Sequence, residues 1–190
     1  MAALSVSALA GCAHTPSSQD VSPDFSFSER SDLGLVVLSG RFSNDCKYGE
    51  APRALLALRE EFGLYNPAGE VPLQPDSDGP DSQGGVRFTV RELRPGPYEI
   101  RALTIHHGKS ASVGLDIPFQ VEAGKAVYLG EVHASLLECS GFSSFNLQLN
   151  DAWERDRQLL QSALKNVPPE EVLKTLVQCP KGVACRGPKP

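Results

Sequence analysis

The sequence predicts a mainly β chain: an antiparallel two-sheet sandwich with one or two C-terminal helices. Three observations carry this. Short apolar runs and period-two alternations recur through residues 33–150, about seven or eight in all. Gly/Pro-rich turns separate them, as at Arg94-Pro95-Gly96-Pro97 and Ala123-Gly124-Lys125. Helical spacing of apolar residues arrives only after Asn150.

Composition narrows the function. The chain has 190 residues, of which 41% are hydrophobic and 22% charged, which excludes wholesale disorder and suits one domain with tails. It holds no run of about 20 apolar residues, so no membrane-spanning helix is expected. Eighteen Lys and Arg against 23 Asp and Glu give a net charge of -5, so no nucleic-acid partner is expected.

Taken in order, residues 1–11 are uncharged and small or apolar, and Leu9-Ala10-Gly11-Cys12 follows. This tetrapeptide resembles the lipobox of bacterial lipoproteins. The resemblance implies cleavage before Cys12, acylation of Cys12 and stable anchoring through several acyl chains. The segment lacks the basic start of a secretory signal, so either a signal that begins farther upstream or poor processing is expected. Ala13 stands where inner-membrane retention uses Asp, which favours the outer membrane, facing the periplasm. Residues 12–31 are rich in Ser, Asp and Pro and read as the lipid anchor and a flexible tether reaching roughly 20–25 Å.

The sandwich is expected over residues 32–150. Leu33-Gly34-Leu35-Val36-Val37-Leu38 suits a strand buried on both faces. Ala54 to Phe62 fits helix or strand, and its neighbours favour strand. Gln74 to Gly85 is loop by composition. Val86, Phe88 and Val90 alternate with Arg87, Thr89 and Arg91, a half-buried strand. The Pro-Gly turn then predicts a hairpin into Tyr98, Ile100 and Ala102. Ile117 to Val121, Ala126 to Ala134 and Phe145 to Leu149 supply further strands. Residues 151–190 read as a helical extension and tail. Asp151-Ala152-Trp153-Glu154 has the form of a capping box, with Trp153, Leu160 and Leu164 on one face against the sheet edge. Pro168-Pro169 ends that helix and opens a second at Glu170 to Val177.

With Cys12 lipidated, Cys46, Cys139, Cys179 and Cys185 remain, an even number that predicts two disulfides in an exported protein. Four cysteines allow three pairings; the short segment between Cys179 and Cys185 can turn back on itself, which favours that pair together with Cys46–Cys139. A zinc site would need closer Cys spacing.

Leu93-Arg94-Pro95-Gly96-Pro97-Tyr98 resembles the strand-turn-strand of transthyretin-like and carboxypeptidase-regulatory-like sandwiches. Phe119 to Gly130 resembles the matching hairpin in small bacterial lipoproteins, and Asp151 to Leu160 the charged helix that ends them. The resemblance implies an immunoglobulin/transthyretin-like sandwich and carries no catalytic residue across.

No catalytic set stands out, so no enzyme is expected and no cofactor. Serines lie outside Gly-x-Ser-x-Gly. Asp116 and Glu131 read as solvated carboxylates. Gly84-Gly85 precedes no helix, and Asp76 to Asp81 departs from the calcium-loop spacing. Arg87, Arg91 and Arg101 read as an outward cross-strand stripe. His106, His107 and His133 are the candidate metal ligands, although His106 and His107 point to opposite faces if the strand continues through them. The function expected is a membrane-anchored, non-catalytic lipoprotein domain that binds a protein or envelope partner in the periplasm. The alternative is a metal-binding or metal-dependent periplasmic protein using those three histidines.

Overall fold

The computed structural model describes residues 21–44, 53–61, 67–73, 85–107, 109–136, 145–178 and 185–186. Cys12, Cys46, Cys139 and Cys179 lie outside these, as do residues 76–81 and Gly84.

The chain is mainly β, with strands β1 (Gly34–Asn44), β2 (Arg53–Glu60), β3 (Pro67–Pro72), β4 (Val86–Leu93), β5 (Gly96–His107), β6 (Lys109–Val121), β7 (Ala126–Leu136), β8 (Phe145–Asn150), β9 (Val172–Lys174) and β10 (Cys185–Arg186). Helix α1 spans Trp153–Ala163. The strands form two sheets. One runs β3-β2-β5-β6 and is antiparallel throughout. The other runs β10-β8-β7-β1-β4, with β9 also on β7.

That second sheet is mixed rather than antiparallel. Strand β1 pairs with β4 antiparallel but with β7 parallel, and the β9–β7 and β10–β8 pairs are also parallel. Parallel neighbours need a long crossover. Between β1 and β7 the chain builds the whole antiparallel sheet and β4, so no tight turn dictates their relative direction.

The Gly/Pro turns also do other work than expected. The Pro-Gly turn links β4 to β5, and the Gly124 turn, at φ +69°, links β6 to β7. In both cases the two strands belong to different sheets. These turns are corners between layers, not hairpins.

The sheets meet through a core in which Val36, Leu38, Val132, Ala134, Leu147 and Leu149 face Leu56, Leu58, Ile100, Leu103, Ile117 and Phe119. A second core lies on the far side of the mixed sheet. There Leu35, Val37, Phe88, Val90, Ala126 and Tyr128 pack under Leu160, Leu164 and Val167. Strand β1 therefore is buried on both faces, as its unbroken apolar run predicts. Helix α1 covers a face of the sheet rather than its edge, with Trp153 stacked obliquely on Tyr128 at 5.0 Å. Each fully buried Leu here contributes roughly 1.5–3 kcal/mol.

The end of the chain departs from expectation in two ways. Asp151 Oδ1 accepts the Trp153 amide at 3.2 Å and its Oδ2 pairs with Lys174 at 2.5 Å, but Glu154 pairs with Arg157 at 2.7 Å, so the capping box does not form. In place of a second α-helix stand a 3₁₀ turn, Pro169–Glu171, and then β9. Strand β8 covers only Glu131–Leu136 of β7, so the backbone of Ala126–Tyr128 needs another partner, and Val172–Lys174 supplies it. The amides of Thr175 and Val177 continue that pairing to Tyr128 and Leu129. Gly130, at φ +104°, marks where β7 changes partner, and an added Cβ would meet the Asn150 carbonyl at 2.9 Å.

Residues 21–33, within the stretch whose composition suggests a tether, pack beside α1. Phe25 is buried in the helix core and touches Phe27 edge to face, while the Lys165 amide bonds the Pro23 carbonyl at 3.2 Å.

Arg87 and Arg91 are buried and do not join exposed Arg101 in a stripe. Arg101 lies on the other sheet, paired with Asp116. Strand β4 turns Phe88 and Val90 to the helix, which leaves its arginines facing the other sheet. Arg91 donates to the carbonyls of Ala68 (2.7 Å) and Glu70 on edge strand β3. One guanidinium thus closes this side of the molecule by satisfying backbone acceptors that edge strands leave open. Gly69, at φ +97° between those carbonyls, leaves room for it, because an added Cβ would collide with Arg91 Nη1. We expect Gly69→Ala to destabilise the fold in urea by more than the about 1–3 kcal/mol of backbone strain alone. Gly85→Ala, also at positive φ (+69°) but with open space around it, is the control for strain. Equal losses would contradict the packing role of Arg91.

Candidate functional site

The outer face of the mixed sheet has two halves. The apolar half lies under α1. Beyond the start of that helix the residues between the core-facing Phe42, Val132, Ala134, Leu147 and Leu149 are polar. Register sets them in three cross-strand rows: Ser39–Glu131–Asn150, Arg41–His133–Gln148 and Ser43–Ser135–Asn146. This plaque measures about 10 Å across the strands and about 13 Å along them.

The row nearest the helix is locked by Asp156, whose side chain is fully buried. Its Oδ2 accepts from Ser39 Oγ at 2.6 Å and from Tyr128 Oη at 2.7 Å. Its Oδ1 takes Arg155 Nε at 2.7 Å. Arg155 also donates to Ser39 Oγ at 2.8 Å and to Glu131 Oε2 at 2.7 Å, and Asn150 completes Glu131 at 3.0 Å. Arg41 stands farther off, 3.8 Å from Glu131.

Three ionisations respond. Burial, then the hydrogen bond and charge of Asp156, push the Tyr128 phenol well above its ordinary range. Burial works to raise Glu131, but its bonds to Arg155 and Asn150 and the charges of Arg155 and Arg41 outweigh it and hold the carboxyl below its usual range. Burial opposes the Arg155 charge, and the bonds to Glu131 and Asp156 more than restore it.

In the outer rows Arg41, His133, Ser135, Asn146 and Gln148 are half-buried. Ser43 is exposed, donates to Ser135 Oγ at 2.9 Å, and lies 3.0 Å from His133 Nε2, which is also 3.3 Å from Ser135 Oγ. Gln148 hydrogen-bonds the same ring. Burial, with the Arg41 charge beside it, holds the imidazole below its ordinary range against the pull of Glu131. The ring is therefore neutral at pH 7, and the plaque combines hydroxyls, amides, an imidazole and guanidinium edges.

The sequence candidates are not brought together. His106 is exposed on the outer face of the antiparallel sheet, its Nδ1 2.7 Å from Ser110 Oγ, while His133 lies on the opposite outer face of the molecule. Strand β5 includes both histidines and ends at His107, whose backbone pairs with Lys109. Among the described residues no three His, Cys, Asp or Glu side chains cluster as metal ligands. For Cys185 the structure gives only its place beside Leu147. Glu131, expected to be solvated, is buried, whereas Asp116 is exposed and tied to Arg101. Asp156, Ser39, Tyr128 and Arg41 carried no sequence signal as a site. The one available clue is three charges in a row, Glu154-Arg155-Asp156, shortly before the apolar pair Leu159-Leu160.

The depressed Glu131 ionisation makes stability depend on pH. Its contribution is complete above the ordinary value of 4.5 and is lost as pH falls through the lowered native value, because the unfolded chain takes up the proton first. Wild type is expected to lose stability between about pH 5 and pH 3. Glu131→Gln, weaker at neutral pH, should lose less across that interval. Parallel urea-melt curves for the two would contradict the assignment.

No protein-family model matches this chain, and no curated protein matches it. Among solved structures it is similar to a leucine-rich repeat protein from Bacteroides thetaiotaomicron, at 16% identity and a TM-score of 0.32. That alignment covers 54% of this chain and 14% of the other, so the chain spans about a seventh of that protein.

Proposed function

We propose that this chain is a bacterial lipoprotein, acylated on Cys12 and held to the periplasmic side of the outer membrane, whose domain binds a protein or envelope component without catalysis. The Leu9-Ala10-Gly11-Cys12 motif and the polar residues after it support the anchor. Phe25 and its neighbours then tie the chain to the side of α1, so an anchored domain would hang from that side.

The observation that carries the binding reading is the helix-free polar half of the mixed sheet. Its rows are fixed by register on three strands, and the Asp156 network holds the helix beside them rather than over them. Rigid strands holding hydroxyl, amide and cationic groups in fixed rows are suited to recognition. The outer face of the antiparallel sheet suits it less. There the exposed Arg101 is answered at the surface by the exposed carboxylate of Asp116, whereas Arg155 and Arg41 face carboxylates that are buried.

Two measurements test this. In cells fed a clickable fatty acid, label is expected on wild type and not on Cys12→Ala; equal labelling would contradict the anchor. A photo-crosslinking residue at Gln148 is expected to capture an envelope component that the same residue at Thr104 does not. Capture from Thr104 alone would move the binding face to the other sheet.

A further inference from the structure

Charge in the plaque is layered. Its carboxylates lie underneath: Asp156 is 0% and Glu131 6% exposed. Its cations reach solvent: Arg41 is 40% and Arg155 35% exposed. Elsewhere the arrangement differs, since Arg101 and Arg157 each have an exposed carboxylate, Asp116 and Glu154, beside them. The formal sum over Arg41, Arg155, Glu131 and Asp156 is zero, yet the surface presented to solvent is cationic. Buried carboxylates fix the Arg155 guanidinium, and hold Arg41 more loosely, without occupying the outer side of the site.

Groups that can turn to donate stand where an anion would sit. Ser43, Ser135 and the His133 ring nitrogen lie within 3.3 Å of one another and bond among themselves, in the row of Arg41 and just above it, so a hydroxyl rotated outward, or a proton taken up by the ring, would face the anion. Arg41 is only loosely engaged at 3.8 Å from Glu131 and has the reach to turn toward that group. Donors on neighbouring strands suit a tetrahedral oxyanion, which accepts from several directions, better than a planar carboxylate, which takes a two-pronged fork.

The geometry points to a binding site for a tetrahedral oxyanion of the phosphoryl or sulfate type, formed by Arg41, His133, Ser43 and Ser135 with Arg155 at its margin. The inference rests on the reading of this face as the recognition surface and gives that surface a ligand class. Among the described residues the charged groups around His133 are Arg41 on β1, Glu131 on β7, and Arg155 and Asp156 on α1. Strand β8 contributes the uncharged Asn146, Gln148 and Asn150, and β10 places Arg186 at the register position beside Gln148. Taking a proton on His133 adds a positive charge to a formally neutral group, so affinity rises as pH falls.

The test uses the full chain carrying Cys12→Ala, so that no acyl chain contributes, with inorganic sulfate as a probe whose charge is constant across the range. Sulfate, and not equal ionic strength of chloride, is expected to shift the His133 ring resonances and to bind more tightly at pH 5.5 than at pH 7.5. Arg41→Gln should weaken binding on the order of tenfold. Arg101→Gln, the same charge loss on the other sheet, should leave it unchanged. Retention on phosphatidylglycerol vesicles but not phosphatidylcholine vesicles would identify a lipid headgroup as the source, and sulfate binding without retention a soluble oxyanion. No shift beyond that of chloride, or equal weakening by Arg41→Gln and Arg101→Gln, overturns the site. Crosslinking from Gln148 reports separately on whether the face is used at all, so the two failures are distinguishable.

Discussion

The Asp156 carboxylate, without access to solvent, is held by β1 through Ser39, by β7 through Tyr128 and by its own helix through Arg155. Removing one partner of such a buried charge costs about 3–5 kcal/mol, because the charge left behind has no water to turn to. That cost fixes where α1 begins and how it crosses the sheet. The apolar contacts of Leu160 and Leu164 hold the helix down but are non-directional. The ionic network supplies the register that they lack.

Much else follows from that placement. With α1 pinned over Leu35, Val37 and Tyr128, the helix leaves the sheet face beyond Ser39 uncovered. Arg155 bridges the two regions, engaged with Asp156 below and Glu131 at the edge of the outer rows. The molecule is also asymmetric from side to side. Between β3 and β4 Arg91 joins the sheets through backbone carbonyls. Between β6 and residues 175–178 there is instead a groove of about 360 Å³ lined by Asp116, Ile117, Pro118 and Leu176.

What the sequence reveals depends on whether an interaction is local. The run from Leu35 to Leu38 discloses a strand buried on both faces, because burial on each side is written in consecutive residues. The alternation from Val86 to Arg91 correctly gives a strand but misplaces its arginines. Period-two reasoning assumes that charge faces water, and the acceptors of Arg91 are carbonyls about twenty residues away that only the fold brings near. The same applies to Asp156, whose partner Ser39 is 117 positions distant. Phe25 sits in a stretch that composition averages into a linker, although its ring is buried. The Pro-Gly turn is legible as a turn, but whether it joins neighbours in one sheet or crosses between two depends on pairings with β1 and β2. Of the plaque, the sequence singles out Glu131, as a solvated carboxylate, and His133, for a partner histidine that the fold places on the opposite face.

The claim that one buried carboxylate sets the helix in place can be measured by native-state hydrogen exchange on wild type and Asp156→Asn. The account expects the amides of α1 to exchange faster in the variant while those of the β5–β6 pair keep their protection. Unchanged exchange in α1, or a uniform loss of protection across both sheets, would contradict it.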